Sequence, residues 1–270
     1  MSQRKHPPWS PVAKPVIGML HALPLPGSPR FGGDLEPVIR AVLVDAETLV
    51  DAGFHALLVE NLGDAPFYPR RVPAETVAAM TRLAAEVVRR FDVPLGINVL
   101  RNDGESALAI AAAVGASFIR VNVLCGARVT DQGVIEGIAH DLLRLRRRLG
   151  ADSVQVLADV DVKHSAPLAA RPIAEEVEET IDRGGADAII VSGAATGKPI
   201  NRDQLDAARI AAGETLLLVG SGVTADSLPE LWPYADGFIV GTALKQEGVT
   251  TNPVDPDRAR ELIAAYRACE

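Results

Sequence analysis

Asp159, Asp161 and Lys163 stand two residues apart in the stretch 155–164, QVLADVDVKH. In a β-strand that spacing puts all three on one face and Val156, Ala158, Val160 and Val162 on the other. Two carboxylates and an amine on one face suit acid–base chemistry. A carboxylate accepts a proton, and an ammonium donates one or stabilises developing negative charge. The stretch lies mid-chain among other apolar strands, where burial on both faces is the norm for a parallel sheet. Charges on the inner face are costly unless they pair or bind something. A structural ion-pair ladder is the bland alternative. Asp161 and Lys163 are expected to match each other, so that removing Lys163 strands a carboxylate. A lysine flanked by carboxylates keeps its proton, which argues against Lys163 as a Schiff-base nucleophile. Glu60, Asp159 and Asp161 also have the hard oxygen ligands that Mg²⁺ takes. The metal-free reading ranks above that one, and no other cofactor is called for.

The elements around this stretch repeat one grammar: a short apolar strand, a polar or glycine-rich loop, then an amphipathic helix. Strands are expected at 16–21, 56–61, 94–100, 118–122, 154–164, 188–193, 216–222 and 237–244, which makes eight. Helices are expected at 34–52, 73–91, 104–114, 138–149, 172–183, 201–213 and 257–268, several of them stopped by glycine. Eight βα units without a linker predict an α/β fold, a single (βα)8 TIM barrel. A doubly wound open sheet would leave edge strands and would open with a glycine-rich nucleotide turn, which is missing after the first strand. Residues 1–15, polar and proline-rich, are expected to form a flexible arm before one barrel domain, 16–270.

In such a barrel the chemistry sits at the C-terminal ends of the strands. The first ends in His21 and the second in Glu60-Asn61, leading to Asp64, Tyr68 and Arg70. The third supplies Asn98, then Arg101, Asn102 and Asp103. The fourth carries Arg120 and Asn122 on one face, and the sixth ends in Ser192-Gly193. The seventh ends Gly220-Ser221-Gly222 and the eighth Gly241-Thr242. Small-residue turns after the last two strands are where this fold most often binds phosphate, through backbone N–H groups. Lys245 would add charge if it did not point away.

At 270 residues, 48% hydrophobic and 23% charged, the chain can bury a sizeable core. A net charge of −8 and 4% aromatics argue against nucleic acid as a partner. Cys125 and Cys269 have neither disulfide-framework nor metal-ligand spacing, which suits a reducing cytoplasm. No apolar run approaches the ~18 residues of a transmembrane span, and the start lacks an apolar signal core. A homo-oligomer with a phosphorylated small-molecule ligand is the expected assembly.

Several blocks carry a family resemblance: GMLHALPLPGSPRFGG, VENLGDAPF, GINVLRND, FIRVNV, ADVDVKHS, VSGAATG and ADGFIVGTALK. With these the chain resembles the BtpA/SgcQ family of ribulose-phosphate-binding-like barrels over nearly all of 16–268. The resemblance implies the barrel fold. For function it implies conflicting labels: photosystem I biogenesis, nucleosidase, or phosphoribosyl isomerase. Asp161-Val162-Lys163 is similar to the DxK string of decarboxylase and synthase barrels, but their further Asp is Ala166 here, so that activity is not carried over. Together these readings imply an enzyme, of isomerase, lyase or nucleosidase type, acting on a phosphorylated sugar or nucleoside-type substrate. Its site would comprise His21, Glu60, Asn98, Arg120, Asn122, Asp159, Asp161 and Lys163. The rival is a non-catalytic assembly factor for a photosystem or membrane complex that retains an old phosphate site.

Overall fold

In chain order the elements are β1 (Val16–His21), α1 (Glu36–Ala52), β2 (Ala56–Glu60), α2 (Ala74–Arg90), β3 (Leu95–Asn98), α3 (Gly104–Val114), β4 (Phe118–Val121), β5 (Ala127–Thr130), β6 (Gly133–Glu136), α4 (Ala139–Arg148), β7 (Gln155–Val160), β8 (Ala166–Pro167), α5 (Ile173–Asp182), β9 (Ala188–Val191), α6 (Arg202–Ala212), β10 (Leu216–Val219), α7 (Leu228–Leu231), β11 (Gly237–Val240) and α8 (Pro256–Cys269). They come from a computed structural model that describes residue 7, residues 10–192 and residues 201–270. Eight strands close into a barrel in the order β1-β11-β10-β9-β7-β4-β3-β2, every neighbouring pair parallel. All eight expected strands are present.

The helices start and stop where local chemistry says they should. Asp103 caps α3 by accepting from the Ser106 backbone N–H, and Asn201 caps α6 through Asp203 and Gln204. Helix α1 ends at Gly53, whose φ of 102° is the left-handed conformation that a side chain disfavours.

Period-two alternation sorts the strand residues. Val16 and Leu20, Leu57 and Val59, Ile119 and Val121, and Val156, Ala158 and Val160 face outward into the layer beneath the helices. Ile17, Met19, Leu58, Phe118, Leu157, Ile190, Leu218 and Ile239 fill the barrel's interior. Phe118 fits because its registered partner on the adjacent strand β3 is Gly96, where a Cβ would come within 2.0 Å of the ring. Truncating Phe118 to Ala would open a void costing about 3–5 kcal/mol.

Three features depart from the expected pattern. Strand β7 stops at Val160 instead of running on to His164, because Asp161 adopts φ 52° and His164 φ 59°. A left-handed residue breaks the alternation, and Asp is one of the few types that tolerates it. Between β4 and α4 the chain makes an unexpected hairpin, β5–β6, to which β8 adds as a third antiparallel strand. After β10 comes a four-residue helix, α7, where none was expected. At the chain's start, Ser10 is buried and Lys14 Nζ donates to the Trp232 carbonyl at 2.5 Å.

Candidate functional site

The inward alternation changes character at the C-terminal end of the barrel. Two residues beyond the apolar interior, the inward positions become His21, Glu60, Asn98, Arg120, Asp159, Ser192, Gly220 and Gly241. Strand register aligns His21 with Glu60 and Glu60 with Asn98. The polar layer thus sits directly on the apolar one.

One corner of the layer is an ion pair closed off from water. Arg120 donates to both carboxylate oxygens of Asp159, Nε to Oδ2 at 2.9 Å and Nη2 to Oδ1 at 2.8 Å. Their side chains are 3% and 0% exposed. Asn122 Nδ2 donates to Oδ2 at 2.7 Å and Ser192 Oγ lies 3.4 Å from Oδ1. Burial works against the Arg120 charge, but the Asp159 charge and hydrogen bonds outweigh it and hold the guanidinium above its ordinary value. Asn98 Nδ2 donates to the Arg120 carbonyl at 3.1 Å. Its Oδ1 is buried without a partner among the described residues.

Beside this pair lies a cavity of about 390 Å³, lined by His21, Glu60, Arg101, Arg120, Asn122, Asp131, Lys163, His164, Thr242 and Thr250, with Leu62, Phe67 and Leu100 as its apolar wall. His21 Nε2 is 3.8 Å from Glu60 Oε1, and both side chains are 9% exposed. His21 Nδ1 lies 3.3 Å from the Thr250 carbonyl, an acceptor only, so this nitrogen carries the proton of the neutral ring. Burial, then the charges of Lys245, Lys163 and Arg120, press the His21 pKa down to about 3. Burial also lowers Lys163, followed by Arg120 and Arg101, against the opposing pull of Glu60 and Asp159. Arg101, lowered chiefly by burial, donates from Nη2 to the Lys163 carbonyl at 2.7 Å.

The expected Asp159–Asp161–Lys163 row is not assembled as a row. Asp159 and Lys163 reach the mouth, whereas Asp161 turns out of the barrel and pairs with Arg128 of β5. Arg128 also donates to Ser165 at 2.6 Å and to Glu176 at 3.2 Å. Asp161 and Lys163 are therefore not each other's partners, and of the two flanking carboxylates only Asp159 still acts on Lys163. Val162, expected against the outer helices, packs with Val123 and Ile135 under the hairpin. Of the Glu60, Asp159 and Asp161 set, Asp161 is paired with Arg128 and the oxygens of Asp159 accept from Arg120, Asn122 and Ser192. Among the described residues no group of three His, Cys, Asp or Glu side chains is arranged to hold a metal.

The glycine corner lies across the mouth. A Cβ on Gly220 would sit 3.9 Å from Arg120 Nη2, and one on Gly241 3.2 Å from His21 Cε1. Packing demands glycine at Gly220, where a Cβ would also lie 2.5 Å from Ile190 Cγ2, and is tight at Gly241; both backbones stand next to groups of the mouth. Gly222 has φ 69°, Ser221 is buried, and Thr242 Oγ1 lies 2.9 Å from Thr250 Oγ1. Lys245 does point away: it is 1% exposed and pairs with Asp45 of α1 at 2.6 Å. Gly193 and the residues that follow it, to 200, lie outside the described residues.

Other polar loop residues stitch the loops together. Asn61 accepts from the Leu100 N–H and donates to Asp64, which accepts from the Leu25 N–H. Asn102 exchanges two hydrogen bonds with the Val123 backbone, Asp103 accepts from the Val72 N–H, and Arg70 pairs with Glu136 at the surface. Tyr68 is exposed. Asp131, His164 and Thr250 line the cavity without having been expected. Asp131 lies in the DQG turn of the hairpin, which was the one available signal.

A comparison with protein families matches residues 12–268 to the BtpA family. The Thermococcus kodakarensis protein TK2179 is 50% identical over 250 residues, covering 93% of this chain and 94% of that protein. The photosystem I biogenesis protein BtpA of Synechocystis is 49% identical over 251 residues, covering 93% and 87%. Among solved structures, N-(5'-phosphoribosyl)anthranilate isomerase from Pyrococcus furiosus superposes with a TM-score of 0.59 at 14% identity, covering 94% and 99%, a likeness of fold alone. The barrel, its polar mouth and these matches agree: the chain belongs to the BtpA family.

Proposed function

We propose that the chain is a metabolic enzyme that acts on a phosphorylated sugar or nucleoside-type substrate by acid–base chemistry at the C-terminal mouth of the barrel. One observation carries this reading. A buried neutral His21 faces Glu60 at 3.8 Å in a cavity that also holds Lys163, Arg101 and Arg120, beside two strand ends stripped of side chains. Perturbed titratable groups converging on one cavity mark a working site more often than a structural one. The backbone N–H groups of Gly220–Gly222 and Gly241-Thr242 would take the phosphate, with the nearby guanidinium groups supplying positive charge. Glu60 would move the proton. His21, its Nδ1–H turned to Thr250, offers Nε2 to a substrate hydroxyl. The deeply buried Arg120–Asp159 pair supports the floor. The fold likeness to a phosphoribosyl-substrate isomerase is consistent with this reading.

The second reading, an assembly factor, is favoured by the name of the Synechocystis relative. A scaffold has no use for a cavity lined by so many charged groups. The test is a panel of pentose and hexose phosphates in D2O, followed by NMR for binding and for carbon-bound deuterium, with the unphosphorylated sugars as controls. At least one phosphate should bind and exchange, exchange being lost in Glu60→Gln while binding persists. If no phosphorylated sugar binds better than its unphosphorylated counterpart, the proposal fails.

A further inference from the structure

The sequence holds five lysines, and the two that penetrate the described fold are treated in opposite ways. Lys245 is sealed against the Asp45 carboxylate at 2.6 Å. Lys163 lines the mouth cavity, and among the described residues no carboxylate pairs with it. The aspartate two residues before it is turned away and held by Arg128. Its loop is fixed from the other side by Arg101, on its own carbonyl. The chain thus places an amine in a partly dry cavity, gives it no direct ion pair among the described residues and sets two guanidinium groups near it. That is how a lysine is made nucleophilic.

We propose that Lys163 is a nucleophile that forms an imine with a phosphorylated aldehyde or ketone bound in the barrel mouth. The inference rests on the reading above that this mouth takes a phosphorylated sugar, and it narrows the substrate to an open-chain carbonyl compound. The ammonium first gives one proton, through solvent in the cavity they share, to the Glu60 carboxylate. The freed Nζ lone pair bonds to the carbonyl carbon while the C=O π pair moves onto oxygen. A second Nζ proton passes to that oxygen, giving the carbinolamine. The C–O bond then breaks as the Nζ pair forms C=N, and the hydroxyl leaves as water with the proton from Glu60. Ammonium plus carbonyl becomes iminium plus water, with Glu60 again a carboxylate. Imine formation acidifies the adjacent carbon–hydrogen bond, so the acid–base chemistry of the mouth has a purpose.

Pyridoxal 5'-phosphate, a phosphorylated aldehyde, is a suitable probe. The full-length protein is treated with it at neutral pH, reduced with borohydride, digested and mapped by mass spectrometry, with binding followed separately by equilibrium dialysis. One reduced adduct on Lys163 is expected. Each unit by which the amine lies below an ordinary lysine gives it about tenfold more free base than the surface lysines. Unphosphorylated pyridoxal should label Lys163 more slowly, inorganic phosphate should compete, and Lys163→Arg should abolish the adduct without reducing affinity for phosphate. Saturable, phosphate-competed binding with no adduct on Lys163 would refute the imine while leaving the phosphosugar reading intact. Neither binding nor adduct would overturn both. An adduct on the other four lysines alone, unaffected by phosphate, would also refute it.

Discussion

Lys245 and Lys163 are the same residue type in the same barrel, yet the structure spends them on different ends. Lys245 follows β11, is 1% exposed and bonds Asp45 Oδ2 at 2.6 Å, while Asp45 Oδ1 accepts from the Val254 N–H. That pair ties the loop before α8 to α1, and its charges are matched. Lys163 follows β7 and ends in the cavity without such a match. Burial alone therefore does not mark a functional lysine; what matters is whether the fold supplies a direct ion-pair partner.

The largest effect should come from breaking the matched pair. Lys245→Met leaves the Asp45 carboxylate with little solvent and no counter-charge, and should lower unfolding free energy by about 3–5 kcal/mol in urea denaturation. Adding Asp45→Asn should recover much of that loss. A single variant as stable as the wild type would remove the contrast with Lys163.

A smaller loss is expected from Arg128, the partner that Asp161 has in place of Lys163. Arg128→Met strips Asp161, Glu176 and Ser165 of their donor. Asp161 is 38% exposed and so partly screened. The expected cost is about 2 kcal/mol by the same denaturation measurement. Next comes His21, which stays neutral in the folded chain down to about pH 3 against 6.5 for an ordinary histidine. Between those values the unfolded chain binds more protons, so stability falls as pH drops from 6.5 toward 3. His21→Gln should make that decline shallower by up to about 1.4 kcal/mol per pH unit. Identical slopes in both proteins would show that His21 is not held neutral. The smallest effect belongs to Lys163→Met, expected within about 0.5 kcal/mol of wild type because no ion pair is lost. A loss of several kcal/mol would show that Lys163 has a structural partner after all.

The pattern of legibility follows from range. Strand register could be read because it is local: Val156, Ala158 and Val160 against Leu157 and Asp159 need only the two-residue period. The eight-strand count and the glycine ends at Gly220 and Gly241 were local as well. The end of β7 was not, since DVDVK keeps alternating on paper while Asp161 turns left-handed in the fold. Its partner Arg128 lies 33 residues upstream on a hairpin of two four-residue strands, too short and too exposed to show a clear period. Asp131 and Thr250 reach the cavity from loops that neighbour it only once the barrel has closed. The N-cap at Asn201 and the left-handed stop at Gly53 are likewise local, because capping is a contact between near neighbours in sequence.

Imine formation at Lys163 depends on the charge state of one amine, and that can be measured directly. With lysine ¹³Cε-labelled protein, and Lys163→Arg to assign its signal, the titration of Lys163 is followed by NMR in the absence and presence of inorganic phosphate. A midpoint below the ordinary lysine value of about 10.4 is expected, moving upward when phosphate binds because an anion favours the ammonium form. A Lys163 that titrates as an ordinary surface lysine, unmoved by phosphate, would contradict it.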